Sequence, residues 1–273
     1  LHEGVWGLLL GARDLHDRGQ ILLYASRGGA PYTYRGVFAG PLPGLGYMWE
    51  CPDCFELDGA TVLLFSPEGC EEVTGAVRSC GGLVGTLEGE RLVPAAGSEF
   101  AVLDQGPDFY AARTLAAPDG RRLLWAWMGR PESAHLAPQR LCLPREIFFD
   151  GQGRLAQRPA RELQALRRGP RTVNPAEGDG ITLHLDDDVA GAELHLEMKV
   201  GRSLTLSGDG DTSPALCLEH HGAHLEVTIP HRAYRRSIVS SQTPLERQLF
   251  LAPGSLEIFE ERGALTLTTR LPE

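Results

Sequence analysis

Short apolar runs broken by Gly, Asp and Pro fill the chain, and almost none carries the 3.6-residue periodicity of a helix. Runs rich in Val, Leu, Tyr, Phe and Trp between turn formers predict an all-β protein. One unit recurs: a Gly, two or three residues, Leu-Leu, then an aromatic. It appears as GQILLY at Gly19, GATVLLF at Gly59 and GRRLLW at Gly120, with a weaker copy, EGVWGLLL, at Glu3. The glycine supplies the positive φ of a tight turn, and the run after it makes a buried strand. Units returning every roughly 40–60 residues predict propeller blades, with a plain sandwich as the alternative. Three or four blades leave sheet edges with unpaired backbone groups. Further blades are therefore expected upstream of Leu1, which reads as the interior of a domain.

The pattern changes near residue 145. Arg158 to Arg168 (RPARELQALRR) is the one helical turn or linker the sequence predicts, with Leu163 and Leu166 on one face. Strict apolar–polar alternation follows in AELHLEMKV, SLTLSG, ALCLEH, HLEVTI and LTLTTRL. Alternation means one buried and one wet face, as in an antiparallel sandwich. The expected organisation is blades of a β-propeller over 1–150, a linker over 151–170 and a β-sandwich over 171–273.

Charge and cysteines narrow the partners. A formal charge of -10 argues against nucleic acid, which rewards a basic face. No apolar stretch reaches transmembrane length, and no membrane partner is expected. The six cysteines, at 51, 54, 70, 80, 142 and 217, permit disulfides. A chain of this size does not need them, and reduced thiols in a cytoplasmic setting are the expectation.

The densest chemistry lies between Gly46 and Gly59 (GYMWECPDCFELDG). Glu50 stands between Trp49 and Cys51, just before Asp53. A carboxyl flanked by a large aromatic and a thiol is partly desolvated, which favours holding a proton as a general acid must. The residues alone leave open a loop carboxylate that caps a backbone N–H. Cys51 and Cys54 form a C-x-x-C without the second ligand pair that zinc wants, and no metal is expected. His220 to His224 (HHGAH) interrupts two alternating runs and reads as a solvated hairpin turn. Asp104, Asp108, Tyr110 and Arg113 crowd LDQGPDFYAARTL, a mix of carboxylates and aromatics that suits a sugar as well as it suits a polar loop. Trp125 and Trp127 are read as facing opposite sides of one strand, one in the core and one lining a site.

These segments together resemble glycoside hydrolase family 32, the invertases and sucrose-6-phosphate hydrolases. MWECPDCFELDG resembles its Glu-Cys motif and LDQGPDFYAARTL its Asp-Phe-Tyr-Ala motif. RRLLWAWMGRPE resembles its Trp-Met-Gly strand, and LCLPREIFFDGQGRLAQRPARELQALR its Leu-Pro-Arg-Glu exit from the propeller. SLEIFEERGALTLTTRLPE resembles the closing hairpin of its sandwich. The resemblance implies a five-bladed propeller joined to a β-sandwich, and cleavage of terminal β-fructofuranosyl bonds with retention. It implies Glu50 as acid/base with Cys51 against it, Asp108 and Trp127 at the bound sugar, and Trp49 and Asp53 as supports. It implies a small sugar as partner, sucrose, sucrose 6-phosphate or a short fructan, and no cofactor, because two carboxyls suffice. The family's nucleophile, in an Asn-Asp-Pro-Asn-Gly type motif, and its Arg-Asp-Pro motif do not occur in residues 1–273. They are expected upstream, with this exact chain inactive and its parent a hydrolase. The alternative is a non-catalytic sugar-binding module on the same scaffold.

Overall fold

In the computed structural model, residues 4–76, 78–129, 139–169, 180–185, 191–208, 214–239, 245–260 and 265–271 are described. The end of the Trp-Met-Gly segment, 130–132, lies outside them. The chain divides into two compact units, Leu1–Gln157 and Arg158–Glu273. Both are built from strands.

The first unit holds three antiparallel sheets in chain order. The first pairs β1 (Val5–Arg13), β2 (Gly19–Arg27) and β3 (Thr33–Ala39). The second runs β4 (Met48–Leu57), β5 (Ala60–Glu68), β6 (Gly81–Glu88) and β7 (Arg91–Pro94), with β8 (Ala101–Val102) also on β6. In the third, β10 (Arg122–Met128) pairs with β9 (Tyr110–Ala116), β11 (Arg140–Leu141) and β12 (Arg145–Phe149), and β12 leads to β13 (Leu155–Pro159).

The recurring Leu-Leu-aromatic unit falls on β2, β5 and β10, each inside its sheet. On β5 it is buried on both faces. Val62 and Leu64 pack with Phe55, Phe109, Leu124 and Met128. Leu63 and Phe65 pack with Ile21, Leu23, Trp49 and Leu83. The middle sheet therefore has neighbours on both faces, as a propeller blade does. That is why this run is continuously apolar where a half-exposed strand would alternate.

Trp49 joins the first two sheets. It is fully buried, stacks on Phe65 at 4.2 Å between ring centroids, and donates from Nε1 to the Leu45 carbonyl at 2.7 Å. A methyl on Gly11 would overlap the Trp49 carbonyl oxygen, and one on Gly19 the indole ring. Backbones approach here so closely that only glycine fits. Gly11→Ala is expected to destabilise the fold by about 1–3 kcal/mol, the usual effect of overpacking. Thermal unfolding checks this, and an unchanged melting temperature would contradict the packing.

The second unit is a sandwich. One sheet orders β14 (Gly180–Leu185), β16 (Ser203–Gly208), β17 (Leu216–His220), β18 (His224–Ile229) and β19 (Tyr234–Val239). The other orders β15 (Ala192–Met198), β20 (Leu245–Ala252), β21 (Ser255–Glu260) and β22 (Thr266–Arg270). Alternate residues such as Leu204, Leu206, Leu216, Leu218, Leu225 and Val227 meet Leu249, Leu251, Leu256 and Ile258 in its core.

Three local readings need correction. His220 is not part of a solvated turn. It closes β17 and is fully buried, its Nδ1 3.0 Å from the Met198 carbonyl and its Nε2 2.7 Å from that of Gly222. The turn spans 221–223 only. Trp125 and Trp127 lie on the same face of β10, because residues two apart on a strand point the same way. Both are partly exposed, while Leu124, Ala126 and Met128 fill the core. The segment Arg158 to Arg168 holds a 3-10 helix, Arg161–Leu166, whose Leu166 is exposed. It is not the only helical turn: Glu71–Thr74 forms another, entered from Cys70 and ended by Gly75 at φ 72.

Candidate active site

The site is built on a register fault. Along β4 and β5, Glu50 pairs with Ser66 and Asp53 with Leu64, three steps against two. The extra residue makes a bulge, with Cys51 at φ 52. A non-glycine residue there costs about 1–3 kcal/mol, which the surrounding pairing must hold. The bulge has a consequence for direction. Residues three apart on a regular strand point to opposite faces, but Ser66 and Leu64 are two apart, so Glu50 and Asp53 come to the same side.

A second bulge faces the first. On β9 and β10, Tyr110 pairs with Trp127 and Arg113 with Trp125, and Ala111 takes φ 54. The Ala111 N–H, turned outward, donates to Ser66 Oγ at 3.0 Å. The two irregular strands lock across neighbouring sheets. Tyr110 donates its hydroxyl to Glu50 Oε2 at 2.7 Å. Arg113 donates to the Pro52 carbonyl at 2.5 Å. Asp53 Oδ2 accepts from both the N–H and the hydroxyl of Thr114, each at 2.7 Å. Arg122 closes this end, donating to Thr114 Oγ1 at 2.7 Å with its guanidinium 4.2 Å from the Phe55 ring centroid.

Electrostatics fix the direction of the central bond. Burial, then the hydrogen bond to Glu50 and its charge, push the Tyr110 phenol far above its ordinary value. Tyr110 therefore keeps its proton and donates it. The bond engages one oxygen of Glu50, a half-buried side chain that solvent still reaches.

The other residues singled out from sequence surround this pair. Trp49, next to Glu50 on β4, is enclosed on the opposite face of the strand, among Ile21, Leu23 and Phe65, and Cys51 is a free, half-buried thiol on the bulge. Trp127, the ladder partner of Tyr110, is partly exposed and donates from Nε1 to Gln139 Oε1 at 2.5 Å. Asp108 precedes β9, is only 1% exposed and sits beside Gly129. Asp104 belongs elsewhere: its Oδ2 meets Arg145 at 2.9 Å in a pair with no solvent exposure. Sequence reasoning missed Ser66, and it missed a rim of three charged or hydroxyl groups. Glu68, on β5, accepts from Arg78 Nε at 2.7 Å and from the Tyr47 hydroxyl at 2.9 Å. The Arg78 guanidinium lies 5.9 Å from the Tyr110 ring centroid. A backbone bridge between Glu68 and Arg78 helps bring these together, and no motif announces it.

A half-buried carboxyl, held by a permanent donor and still reached by solvent, is equipped to give and take a proton. Among the described residues, no three His, Cys, Asp or Glu side chains gather as metal ligands.

Comparison with known proteins agrees with the motifs. Residues 1–159 match the glycosyl hydrolases family 32 N-terminal domain. The chain is 39% identical to sucrose-6-phosphate hydrolase of Bacillus subtilis (strain 168), over 98% of this chain and 59% of that protein. It is 32% identical to raffinose invertase of Escherichia coli, over the same shares. The chain thus spans about three-fifths of the length of these relatives. The solved structure of sucrose-6-phosphate hydrolase from Lactobacillus gasseri superposes with a TM-score of 0.81 at 23% identity, covering 99% of this chain and 59% of that one, a likeness of fold. With the Glu-Cys motif on its bulge and the family domain matched over 1–159, the chain belongs to glycosyl hydrolase family 32.

Proposed function

We propose that the protein carrying this chain hydrolyses terminal β-fructofuranosyl bonds of sucrose or sucrose 6-phosphate with retention, and that Glu50 is its acid/base. The observation that carries this reading is the 2.7 Å bond from Tyr110 to Glu50 across two facing bulges. The names of the relatives, an invertase and a sucrose-6-phosphate hydrolase, support the substrate class.

In this reading Glu50 protonates the glycosidic oxygen as the bond to fructose breaks, and a second carboxylate takes the fructosyl group. Glu50 then removes a proton from water, which releases fructose and restores the acid. The motif expected to carry the second carboxylate is absent from residues 1–273, so these residues supply the acid/base half of the pair. Trp127, the most open of the aromatic candidates, is assigned to the sugar face. Asp108 and Trp49 are enclosed, and we assign them to the wall that holds the sugar subsite in shape. Asp53 fixes the far end of the bulge through Thr114, and Cys51 packs against Glu50. None of the six cysteines is joined in a disulfide, which suits a reducing, cytoplasmic setting.

The test is sucrose hydrolysis by the full-length protein. Release of equal amounts of glucose and fructose supports the reading, and binding without turnover would replace it with a sugar-binding module. Tyr110→Phe probes the positioning bond. A hydrogen bond to a charged group contributes about 1.5–3 kcal/mol, so kcat is expected to fall at least roughly tenfold with little change in KM. A variant that merely packed poorly would lose melting temperature and leave that split unmoved.

A further inference from the structure

We propose that Arg78 receives a phosphate carried by the leaving sugar, and so makes this site selective for a phosphorylated disaccharide over its neutral counterpart. The inference rests on the assignment of Glu50 as acid/base and extends it to the substrate.

The position of the leaving group follows from the chemistry. Glu50 gives its proton to the oxygen that joins the two sugars, so that oxygen must come within hydrogen-bond reach of the carboxyl. The leaving hexose then lies immediately outside Glu50. A phosphate on its primary hydroxyl would sit one sugar ring farther out, at the rim.

Among the described residues, the rim holds one cation in the right place. Arg78 lies over the ring of Tyr110, whose hydroxyl bonds Glu50, so a single aromatic side chain separates the guanidinium from the acid. The charge of Glu50 is felt there: with that of Glu68 it helps hold Arg78 firmly protonated, the hydrogen bond that Arg78 donates to Glu68 being the largest cause. The other two arginines around the bulge are engaged differently. Arg113 reaches back to the Pro52 carbonyl, and Arg122 is held over Phe55 beside Thr114 and Asp53.

Arg78 is also prepared for an anion. Its ion pair with Glu68 uses Nε. The two terminal nitrogens remain on a side chain that is 60% exposed, against 16% for Glu68. A guanidinium presents these nitrogens as a fork that matches two phosphate oxygens. Glu68, itself held by the Tyr47 hydroxyl, fixes the arginine before the ligand arrives and reduces the rotamer entropy lost on binding. The need for a cation is clear from the neighbours. A phosphate dianion at this rim meets the carboxylate of Glu68, and that of Glu50 once it has given up its proton, and without Arg78 their repulsion would select against it.

Two measurements on the full-length protein and its Arg78→Ala and Arg78→Lys variants test this. The first is binding of glucose 6-phosphate and of glucose, by calorimetry. It needs no turnover, so it decides the proposal even if sucrose hydrolysis fails. The wild type is expected to prefer glucose 6-phosphate, Arg78→Ala to lose about 10–100-fold of that preference, and Arg78→Lys to recover part of it. The second is the ratio of kcat/KM for sucrose 6-phosphate to that for sucrose, expected to fall by the same factor in Arg78→Ala. Equal losses for phosphorylated and neutral sugars would overturn the phosphate role and leave Arg78 a structural partner of Glu68. Failure of the wild type to hydrolyse either disaccharide would refute the proposed hydrolase, while the glucose 6-phosphate preference still decides Arg78.

Discussion

Glu50→Gln in the full-length protein is expected to lower sucrose turnover by roughly 10²–10⁴-fold, the usual contribution of a positioned general acid or base. The substitution is nearly isosteric. Its amide can still accept from Tyr110, so the two bulges should stay locked and the circular dichroism and melting temperature should match wild type. What is lost is the proton. Without it the leaving sugar must depart as an alkoxide, and water must attack without a base. Near-normal turnover in this variant would remove Glu50 from the mechanism.

The second large effect is on stability, away from the reacting groups. Arg145 of the Leu-Pro-Arg-Glu segment is fully enclosed with Asp104. It also donates to Gln157 Oε1 at 3.0 Å and lies 4.6 Å from the Phe109 ring centroid. Gln157 in turn donates to the Leu103 carbonyl at 2.5 Å. Arg145 thus ties β12 and β13 of the third sheet to the loop that delivers Tyr110 to Glu50. Arg145→Ala leaves the Asp104 carboxylate buried without its cation, and breaking such a pair costs about 3–5 kcal/mol. For a chain of this size that corresponds to a melting temperature lower by roughly 10 °C. Replacing both partners with apolar residues of similar volume, Arg145→Met with Asp104→Leu, is expected to recover much of the loss. A single variant as stable as wild type would show that the pair does not hold the loop.

The same segment shows how far the sequence could be read. Strands were legible because turn formers punctuate them. The double-sided burial of β5 was visible as an unbroken apolar run, VLLF. The Glu-Cys and Asp-Phe-Tyr-Ala segments pointed to Glu50 and to the neighbourhood of Tyr110. Their geometry was not legible. Cys51 and Ala111 adopt positive φ without being glycine, so nothing in the residue types announces the bulges that turn Glu50 and Asp53 to one side. The bond from Tyr110 to Glu50 spans sixty positions in the chain, and Arg78 reaches the rim through a backbone bridge and an ion pair to Glu68, ten positions away. Asp104 stood beside Asp108 in the sequence as an acid suited to a sugar, yet it neutralises a buried arginine. His220 looked like turn because its neighbours are polar. Its burial depends on the carbonyl of Met198 from another sheet of the sandwich, which local pattern cannot reveal.

The most direct test of Glu50 as the acid/base compares the Glu50→Gln variant on two leaving groups. Sucrose leaves as a poorly acidic sugar hydroxyl and needs the proton; an activated aryl β-fructoside leaves as a stable phenolate and does not. The variant should lose most of its rate on sucrose and keep a much larger share of the wild-type rate for forming the fructosyl-enzyme from the aryl fructoside. Equal losses on both substrates would contradict the assignment and show that Glu50 serves binding or structure, with the acid still to be found elsewhere.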